Sequence, residues 1–127
     1  MLPALQRVDH VVLTVASVDR SVAWYRDVLG ATIEVFSEGR VAASFGTWKL
    51  NFHSVKSPFT PHAAHPTPGA VDLCLLGNDL EAWLVHCDQL QVPIIEGPVI
   101  RTGATGPIRS IYLRDPDANL IEIGELL

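Results

Sequence analysis

Four side chains of types that bind metal ions stand within apolar stretches of this sequence. His10 lies in the β-branched stretch 8–15, and Glu122 interrupts the apolar stretch 120–123. His53 and Asp72 stand in two similar stretches. Imidazole nitrogens and carboxylate oxygens together suit Zn, Mn, Fe(II) or Ni. The four residues therefore predict one divalent metal site, with His10, His53, Asp72 and Glu122 as ligands, provided that the fold brings them together.

Each of these residues also has an ordinary structural explanation. A single histidine in a strand is more often a hydrogen-bonded core residue, and Asp72 next to an apolar run could cap a backbone group. Glu122 could point into water from an edge strand. An unpaired buried carboxylate is costly, so a glutamate inside a covered strand needs a partner. The metal hypothesis thus depends on the convergence of the four residues.

Convergence requires strands whose polar side chains share one face. Segments 8–15, 48–54, 70–76 and 120–124 alternate apolar and polar residues, as strands with one buried face do. If the apolar faces pack under helices, as in a layered α+β domain, the polar residues collect on the opposite face. We expect that face to contain His10, Asn51, His53, Asp72, Tyr112 and Glu122.

The predicted elements occur in the same order in both halves of the chain. Segment 8–15 predicts a strand, 17–29 a helix, and 32–37, 41–45 and 48–54 three strands. After segment 55–69, which has four prolines, the order returns as strand 70–76, a helix from about 78 to 90, strand 93–97 and a hairpin at 111–123. We therefore predict one α+β domain, 1–127, made of two tandem βαβββ pseudo-repeats, 5–54 and 70–127, joined by a linker, 55–69. The repeat places Asp72 at the position of His10.

The composition argues against several classes of partner. The chain has 127 residues, 48% of them hydrophobic and 18% charged, and a formal net charge of −5. An acidic chain without a basic stripe is not expected to bind nucleic acid or anionic membranes. No apolar run is long enough to span a membrane and no signal peptide is evident, so a cytoplasmic location is expected. The spacing of Cys74 and Cys87 indicates reduced core thiols.

Two stretches give the sequence its resemblance to a known family. They are Val8-Asp9-His10-Val11-Val12-Leu13, with the helix end Trp24-Tyr25-x-x-x-Leu29-Gly30, and Asp115-Pro116-Asp117-Ala118-Asn119-Leu120-Ile121-Glu122. The pattern resembles the vicinal oxygen chelate superfamily, which includes glyoxalase I, the fosfomycin and bleomycin resistance proteins and the extradiol dioxygenases. Within it, the chain is similar to a branch of small glyoxalase-domain proteins that includes glyoxalase domain-containing protein 5.

The resemblance implies two βαβββ modules that form an open, cup-shaped mixed sheet around a divalent metal, with helices on the convex side. His10 and Glu122 match its ligand positions. Many members have a second histidine where this chain has Asp72, and glyoxalase I has a glutamate where this chain has Asn51. Either Asn51 or His53 is left to complete the site, and Asn51 is also a candidate for contacting substrate together with Tyr112.

Two functions follow from this resemblance. The first is a metal-dependent enzyme, a lyase, isomerase or dioxygenase, in which the cation chelates two neighbouring oxygens of a small substrate and Glu122 or Asp72 moves a proton. The second is a metal-free protein that sequesters a small molecule, as bleomycin resistance proteins do. Modules of this kind commonly pair, so we expect a homodimer.

The segment 99–108 predicts a mobile loop with hydroxyl and backbone donors. Arg101 lies in it and Arg109 follows it, so both could recognise a substrate that carries a carboxylate or phosphate. Alternatively, the two arginines pair with surface acids such as Glu96 and Asp117.

Overall fold

The computed structural model describes residues 1–127, which form two compact units, Met1–Pro66 and Thr67–Leu127. Unit 1 contains β1 (His10–Val15), α1 (Val18–Asp27), β2 (Thr32–Phe36), β3 (Arg40–Phe45) and β4 (Trp48–Ser54). Unit 2 contains β5 (Asp72–Leu76), α2 (Leu80–Gln89), β6 (Glu96–Thr102), β7 (Pro107–Arg114) and β8 (Leu120–Leu126). The order βαβββ in each unit confirms the predicted α+β class. Neither helix has the length and apolarity needed to cross a membrane.

The sheet of unit 1 has the strand order β1-β4-β3-β2, in which β1 runs parallel to β4 and the other pairs are antiparallel. Helix α1 begins where the Ser17 side chain accepts a hydrogen bond from the Arg20 backbone N–H at 3.3 Å. Its Tyr25 is fully buried, with its ring 5.5 Å from that of Phe52 on β4. The helix therefore covers the apolar face of the sheet, and the polar face is left for a site.

The sheet of unit 2 repeats this plan with the order β5-β8-β7-β6, and here β5 runs parallel to β8. Asp79 caps α2 by accepting from the Ala82 N–H at 3.2 Å. Glu125 of β8 accepts from the Leu80 N–H at 3.0 Å, which fixes the start of the helix to the sheet. The buried residues of this unit include Leu80, Cys87, Ile111, Leu113, Ile121 and Ile123.

The hairpin between β7 and β8 is closed by side chains as well as by backbone. Asp115 accepts from the N–H groups of Asp117 and Asn119 and from Asn119 Nδ2, at 2.8–2.9 Å. Asn119 Oδ1 accepts from the Val71 N–H, just before β5, at 2.9 Å. Both side chains are buried. The predicted hairpin is confirmed, and its turn also fixes the start of β5.

The prediction for β6 was wrong. The sequence predicted a strand at 93–97 and a loop at 99–108, whereas β6 is Glu96–Thr102 and β7 already begins at Pro107. Glycine and proline are typical of strand ends, so Gly97 and Pro98 predicted that the strand stops there. In the structure the strand continues, because an irregularity in the β6–β7 register between Glu96 and Val99 accommodates both residues. The connection that remains, 103–106, is a tight turn in which the Gly103 N–H donates to the Gly106 carbonyl at 2.9 Å.

Gly97 should be intolerant of a side chain. Its φ is +104°, and a Cβ there would lie 2.4 Å from the Ser110 carbonyl oxygen. We expect Gly97→Ala to lower the free energy of unfolding by about 2–4 kcal/mol, measured by urea denaturation. Gly39→Ala is the control, because Gly39 has a φ of +82° but a Cβ added there would meet no atom within 4 Å. That control should cost about 1–2 kcal/mol, and equal costs would contradict the role assigned to the close approach.

Candidate functional site

The polar face of unit 1 contains the three predicted residues of that half. In the parallel pair β1–β4, His10 lies opposite Lys49, Val12 opposite Asn51 and Thr14 opposite His53. Alternation along both strands places His10, Asn51 and His53 on one face.

His10 is held by its neighbour and stays accessible. Its Nδ1 lies 2.9 Å from Asp9 Oδ2, and almost half of its side chain is exposed. Since a carboxylate only accepts, Nδ1 carries the hydrogen and the lone pair of Nε2 is left available. The same hydrogen bond is the main cause of the lowered pKa of Asp9. Histidines that bind metals commonly have such a carboxylate partner.

His53 is in a different state, because it is buried and already paired. Arg40 lies 3.3 Å from its Nε2, and the Phe59 ring lies 5.2 Å from its ring. Burial lowers the pKa of His53, and the charges of Arg40 and His62 add to this effect. The imidazole is therefore neutral at pH 7, with Nε2 accepting from the guanidinium.

His10 and His53 do not share an ion within unit 1. Four residues separate them along the two parallel strands, which is about 13 Å at the rise of a strand. Within unit 1, His53 therefore cannot supply a second imidazole to an ion bound by His10. The β1–β4 register, which separates the two histidines, could not be predicted from the sequence.

Asn51 has an unsatisfied oxygen. Its side chain is buried between Val12 of β1 and Ala42 of β3, and Oδ1 has no hydrogen-bond partner. A buried amide oxygen without a partner costs about 1–3 kcal/mol. Such an atom needs a partner, which a water molecule, an ion or a ligand could supply.

Glu122 occupies the equivalent position in unit 2. It lies opposite Cys74 of β5 and Tyr112 of β7, as Asn51 lies opposite Val12 and Ala42. Its Oε2 is buried and has no hydrogen-bond partner, as is true of Asn51 Oδ1. By the same register, Asp72 at the start of β5 is equivalent to His10 at the start of β1.

The two neighbours of Glu122 are both protonated donors. Cys74 keeps access to solvent, yet partial burial of its thiol and the charge of Glu122 raise its pKa to about 11. Burial also raises the pKa of Tyr112, although the hydrogen bond from Arg101 opposes this rise. At neutral pH Cys74 is therefore not a thiolate nucleophile, and Tyr112 keeps its phenolic hydrogen. Cys74 was not among the site residues predicted from the sequence, because its position opposite Glu122 follows from the β5–β8 register.

A cavity of about 450 Å³ lies in unit 2 beside Glu122. Its lining includes Cys74, Arg101, Tyr112 and the turn 103–105, together with the apolar side chains of Leu76, Ile108 and Leu126. Arg101 Nε donates to the Tyr112 hydroxyl at 3.1 Å, and another nitrogen of its guanidinium lies 3.3 Å from Glu96 Oε1. The cavity thus contains one cation, one carboxylate and an apolar wall.

Arg109 does not line this cavity. Its guanidinium forms an ion pair with Glu81 of α2 at 2.7 Å. Both arginines pair with acids, as the alternative interpretation predicted. Arg101 pairs with Glu96, as expected, whereas the partner of Arg109 is Glu81 and not the expected Asp117. Only Arg101 both pairs with an acid and borders the cavity.

Neither unit by itself brings together three His, Cys, Asp or Glu side chains that could hold a metal ion. Asp72 is exposed and is a diagonal neighbour of Glu122 across the β5–β8 pair, so unit 2 supplies two carboxylates to one face of its sheet. Unit 1 supplies one accessible imidazole and one amide oxygen.

The fold is that of a known class of protein. Residues 7–123 match the family model described as the Glyoxalase/Bleomycin resistance protein/Dioxygenase superfamily. The chain therefore belongs to that superfamily, as the resemblance implied. The particular branch within it stays a prediction.

Several known proteins are similar to most of the chain. Virulence protein STM3117 of Salmonella typhimurium (strain LT2) is 45% identical over 125 residues, which are 95% of this chain and 85% of that protein. A crystal structure of STM3117 matches with a TM-score of 0.97 at 43% identity, covering 98% of this chain and 100% of that chain. Glyoxalase domain-containing protein RDO1 of Mycosarcoma maydis is 42% identical over 121 residues, 94% of this chain and 68% of that protein.

A more distant relative is metallothiol transferase FosB of Staphylococcus epidermidis. It is 28% identical over 122 residues, which cover 94% of this chain and 83% of that protein.

The state of His53 predicts a dependence of stability on pH. Its pKa in the folded protein lies below the ordinary 6.5, so the unfolded chain takes up the proton first. The free energy of unfolding should therefore fall as the pH drops from above 6.5 through the lowered folded value. His53→Gln, which keeps an acceptor for Arg40, should flatten this fall in urea denaturation between pH 7.5 and 5. The exposed His65 gives the control His65→Gln, which should keep the wild-type slope. Identical slopes in all three proteins would contradict the assignment.

Proposed function

We propose that this protein is a divalent-metal-dependent enzyme that acts on a small molecule with two neighbouring oxygens. The proposed metal-binding residues are His10 and Asn51 in unit 1 and the equivalent Asp72 and Glu122 in unit 2. The observation that carries the proposal is the pair of unsatisfied oxygens, Asn51 Oδ1 and Glu122 Oε2, at equivalent positions of the two sheets. A cation satisfies both kinds of oxygen, whereas a purely apolar ligand satisfies neither.

The state of the two histidines supports this choice of ligands. His10 has a carboxylate partner on Nδ1 and an available Nε2, which is the arrangement of a metal-binding imidazole. His53 is left out of the proposed set, because Arg40 occupies its Nε2. The name metallothiol transferase of the relative FosB is consistent with metal chemistry on this fold.

The donor atoms favour a hard cation. Three of the four proposed ligands offer oxygen and one offers nitrogen, a set that suits Mn or Fe(II) better than a soft metal, with Zn and Ni as the other candidates. When bound, such an ion supplies Lewis-acid stabilisation of negative charge that develops on a chelated substrate.

The residues around Glu122 suit proton transfer. Cys74 and Tyr112 flank its carboxylate from the two neighbouring strands and fix its orientation. In the proposed mechanism Glu122 or Asp72 accepts a proton from the substrate, while Tyr112 remains a hydrogen-bond donor. The reaction class that fits is proton abstraction or addition, as in a lyase or isomerase. Dioxygenase chemistry remains the alternative within the superfamily.

Metal titration tests the proposed ligands. In calorimetric titration of chelator-treated protein with Mn²⁺ and Zn²⁺, Glu122→Gln should lose at least about 100-fold in affinity, because it removes a ligand charge while keeping the side-chain volume. His10→Ala should lose affinity as well. Glu38→Gln, in the exposed turn between β2 and β3, is the control and should bind as the wild type does. Unchanged affinity in Glu122→Gln would refute the proposed site.

We also propose that the substrate carries an anionic group in addition to its chelating oxygens, and that this group binds in the cavity of unit 2. Arg101 is the cation that borders it, and Arg109 is committed to Glu81. Arg101→Ala should weaken binding of small carboxylates about tenfold, the scale of one charge-assisted hydrogen bond. Arg109→Ala is the matched control and should leave binding unchanged. A thermal-shift screen of carboxylates and phosphates checks this, and equal stabilisation of Arg101→Ala and wild type would contradict it.

A metal-free sequestering protein of the bleomycin-resistance type is the second candidate function. The observation that favours it is that neither unit by itself gathers three metal-binding side chains. The two functions differ in the same titration, because a sequestering protein should bind neither Mn²⁺ nor Zn²⁺ at micromolar concentration.

We also propose that the protein works as a homodimer. Unit 2 exposes the apolar side chains of Leu76 and Leu126 beside its cavity, and each of the two residues is half or more accessible. Exposed apolar groups of this size commonly mark an interface. Light scattering at micromolar concentration should give twice the mass of 13.8 kDa. A monomer at that concentration would refute the dimer.

A further inference from the structure

We propose that unit 1 has its own binding site for a small planar aromatic anion, in the cavity between β1–β4 and the proline-rich segment 59–66. This site is lined by residues of unit 1 alone and does not depend on the proposed metal. Three features support this site: the shape of the cavity, an imidazole N–H that forms no hydrogen bond within the protein, and a guanidinium that forms no ion pair with an acid.

Part of the predicted linker 55–69 covers the polar face of unit 1. Val12, Thr14 and His53 line a cavity of about 350 Å³ from the strands, and the opposite side is lined by Pro61, His62, Ala63 and Pro66. The segment is fixed to the strands at its start, where the Val55 N–H donates to the Val15 carbonyl at 2.9 Å. Proline rings and Val12 give the cavity flat apolar surfaces, against which an aromatic ring packs well.

The polar atoms of the cavity are mainly donors. Because Nε2 of His53 accepts from Arg40, the hydrogen of this neutral imidazole is on Nδ1. No hydrogen bond from that Nδ1 to another group of the protein is formed, so the N–H is open to the cavity. The Thr14 hydroxyl lines the same cavity and can also donate. A ligand that brings an acceptor oxygen would take the place of water on these donors.

The charge of the surroundings selects an anion. The Arg40 guanidinium lies 4.6 Å from the centre of the Phe59 ring and 5.2 Å from that of Phe36, and it forms no ion pair with a carboxylate. No acidic residue lines the cavity. Because Arg40 lies 3.3 Å from His53 Nε2, its uncompensated charge produces a positive potential beside the cavity, which a carboxylate neutralises.

The ligand class that satisfies these features is an aromatic carboxylate. Its ring would pack against Val12, Pro61 and Pro66, and its carboxylate would accept from His53 Nδ1–H. A cavity of about 350 Å³ accommodates one or two fused rings.

Benzoate and benzamide, which have the same shape but differ in charge, test the proposal on the full chain freed of metal with a chelator. In NMR titrations at pH 7, benzoate should shift the signals of Val12, Thr14 and His53, because these three residues line the cavity from the strands. Benzamide should bind at least about tenfold more weakly, the scale of a charge-assisted contact. Equal binding of the two compounds, or no binding of benzoate at millimolar concentration, would overturn the proposal.

Two variants locate the site. His53→Phe keeps a ring but removes the donor, and it should weaken benzoate binding about tenfold or more. His65→Gln is the control, since His65 lies in the same segment but does not line the cavity, and it should change the affinity less than about twofold. If His53→Phe does not fold, Thr14→Val provides the second measurement and should weaken benzoate binding severalfold. Wild-type affinity in a folded His53→Phe or in Thr14→Val would show that benzoate binds elsewhere and would overturn the proposal.

Discussion

The buried pair Asp115 and Asn119 is the interaction on which the geometry around Glu122 depends. Asp115 binds the backbone of its own turn and the amide of Asn119, and Asn119 in turn binds the backbone just before β5. The turn thereby joins three strands, β7, β8 and β5, at one end. Because a shift of one residue would move every side chain of β8 to the other face, this connection decides that Glu122 stands between Cys74 and Tyr112.

Alternation of polar and apolar residues was enough to predict most of the fold. It gave β4 with its observed bounds, and it identified the face of unit 1 that holds His10, Asn51 and His53. The strand β6 was missed because Gly97 and Pro98 are typical of strand ends, and only pairing with β7 shows that the strand continues past them. Local composition cannot contain that information, since the partner strand is distant in sequence.

The partners of individual site residues were harder to predict than the strands, because they depend on the register between strands. His53 resembled a metal ligand in the sequence, and its pairing with Arg40 follows from the alignment of β3 with β4 and from the position of Phe59. The sequence indicated a core thiol at Cys74, whereas the parallel β5–β8 pair places it beside Glu122. Arg101 and Arg109 have the same chemistry, but their positions on different strands give them different acids as partners. Residue type and spacing thus identified the candidates, and strand pairing decided what each one contacts.

The equivalence of Asn51 and Glu122 has a consequence for the charge of the proposed ligand set. The amide at position 51 contributes no charge, so the only anionic members of the proposed set are Asp72 and Glu122. Their combined charge equals in size that of a divalent cation, so the two carboxylates of unit 2 would offset the charge of one bound Mn²⁺ or Zn²⁺. A glutamate at position 51 would add a further negative charge to the proposed set, whereas the amide adds none. The difference between the two equivalent positions therefore determines the net charge of the proposed ligand set.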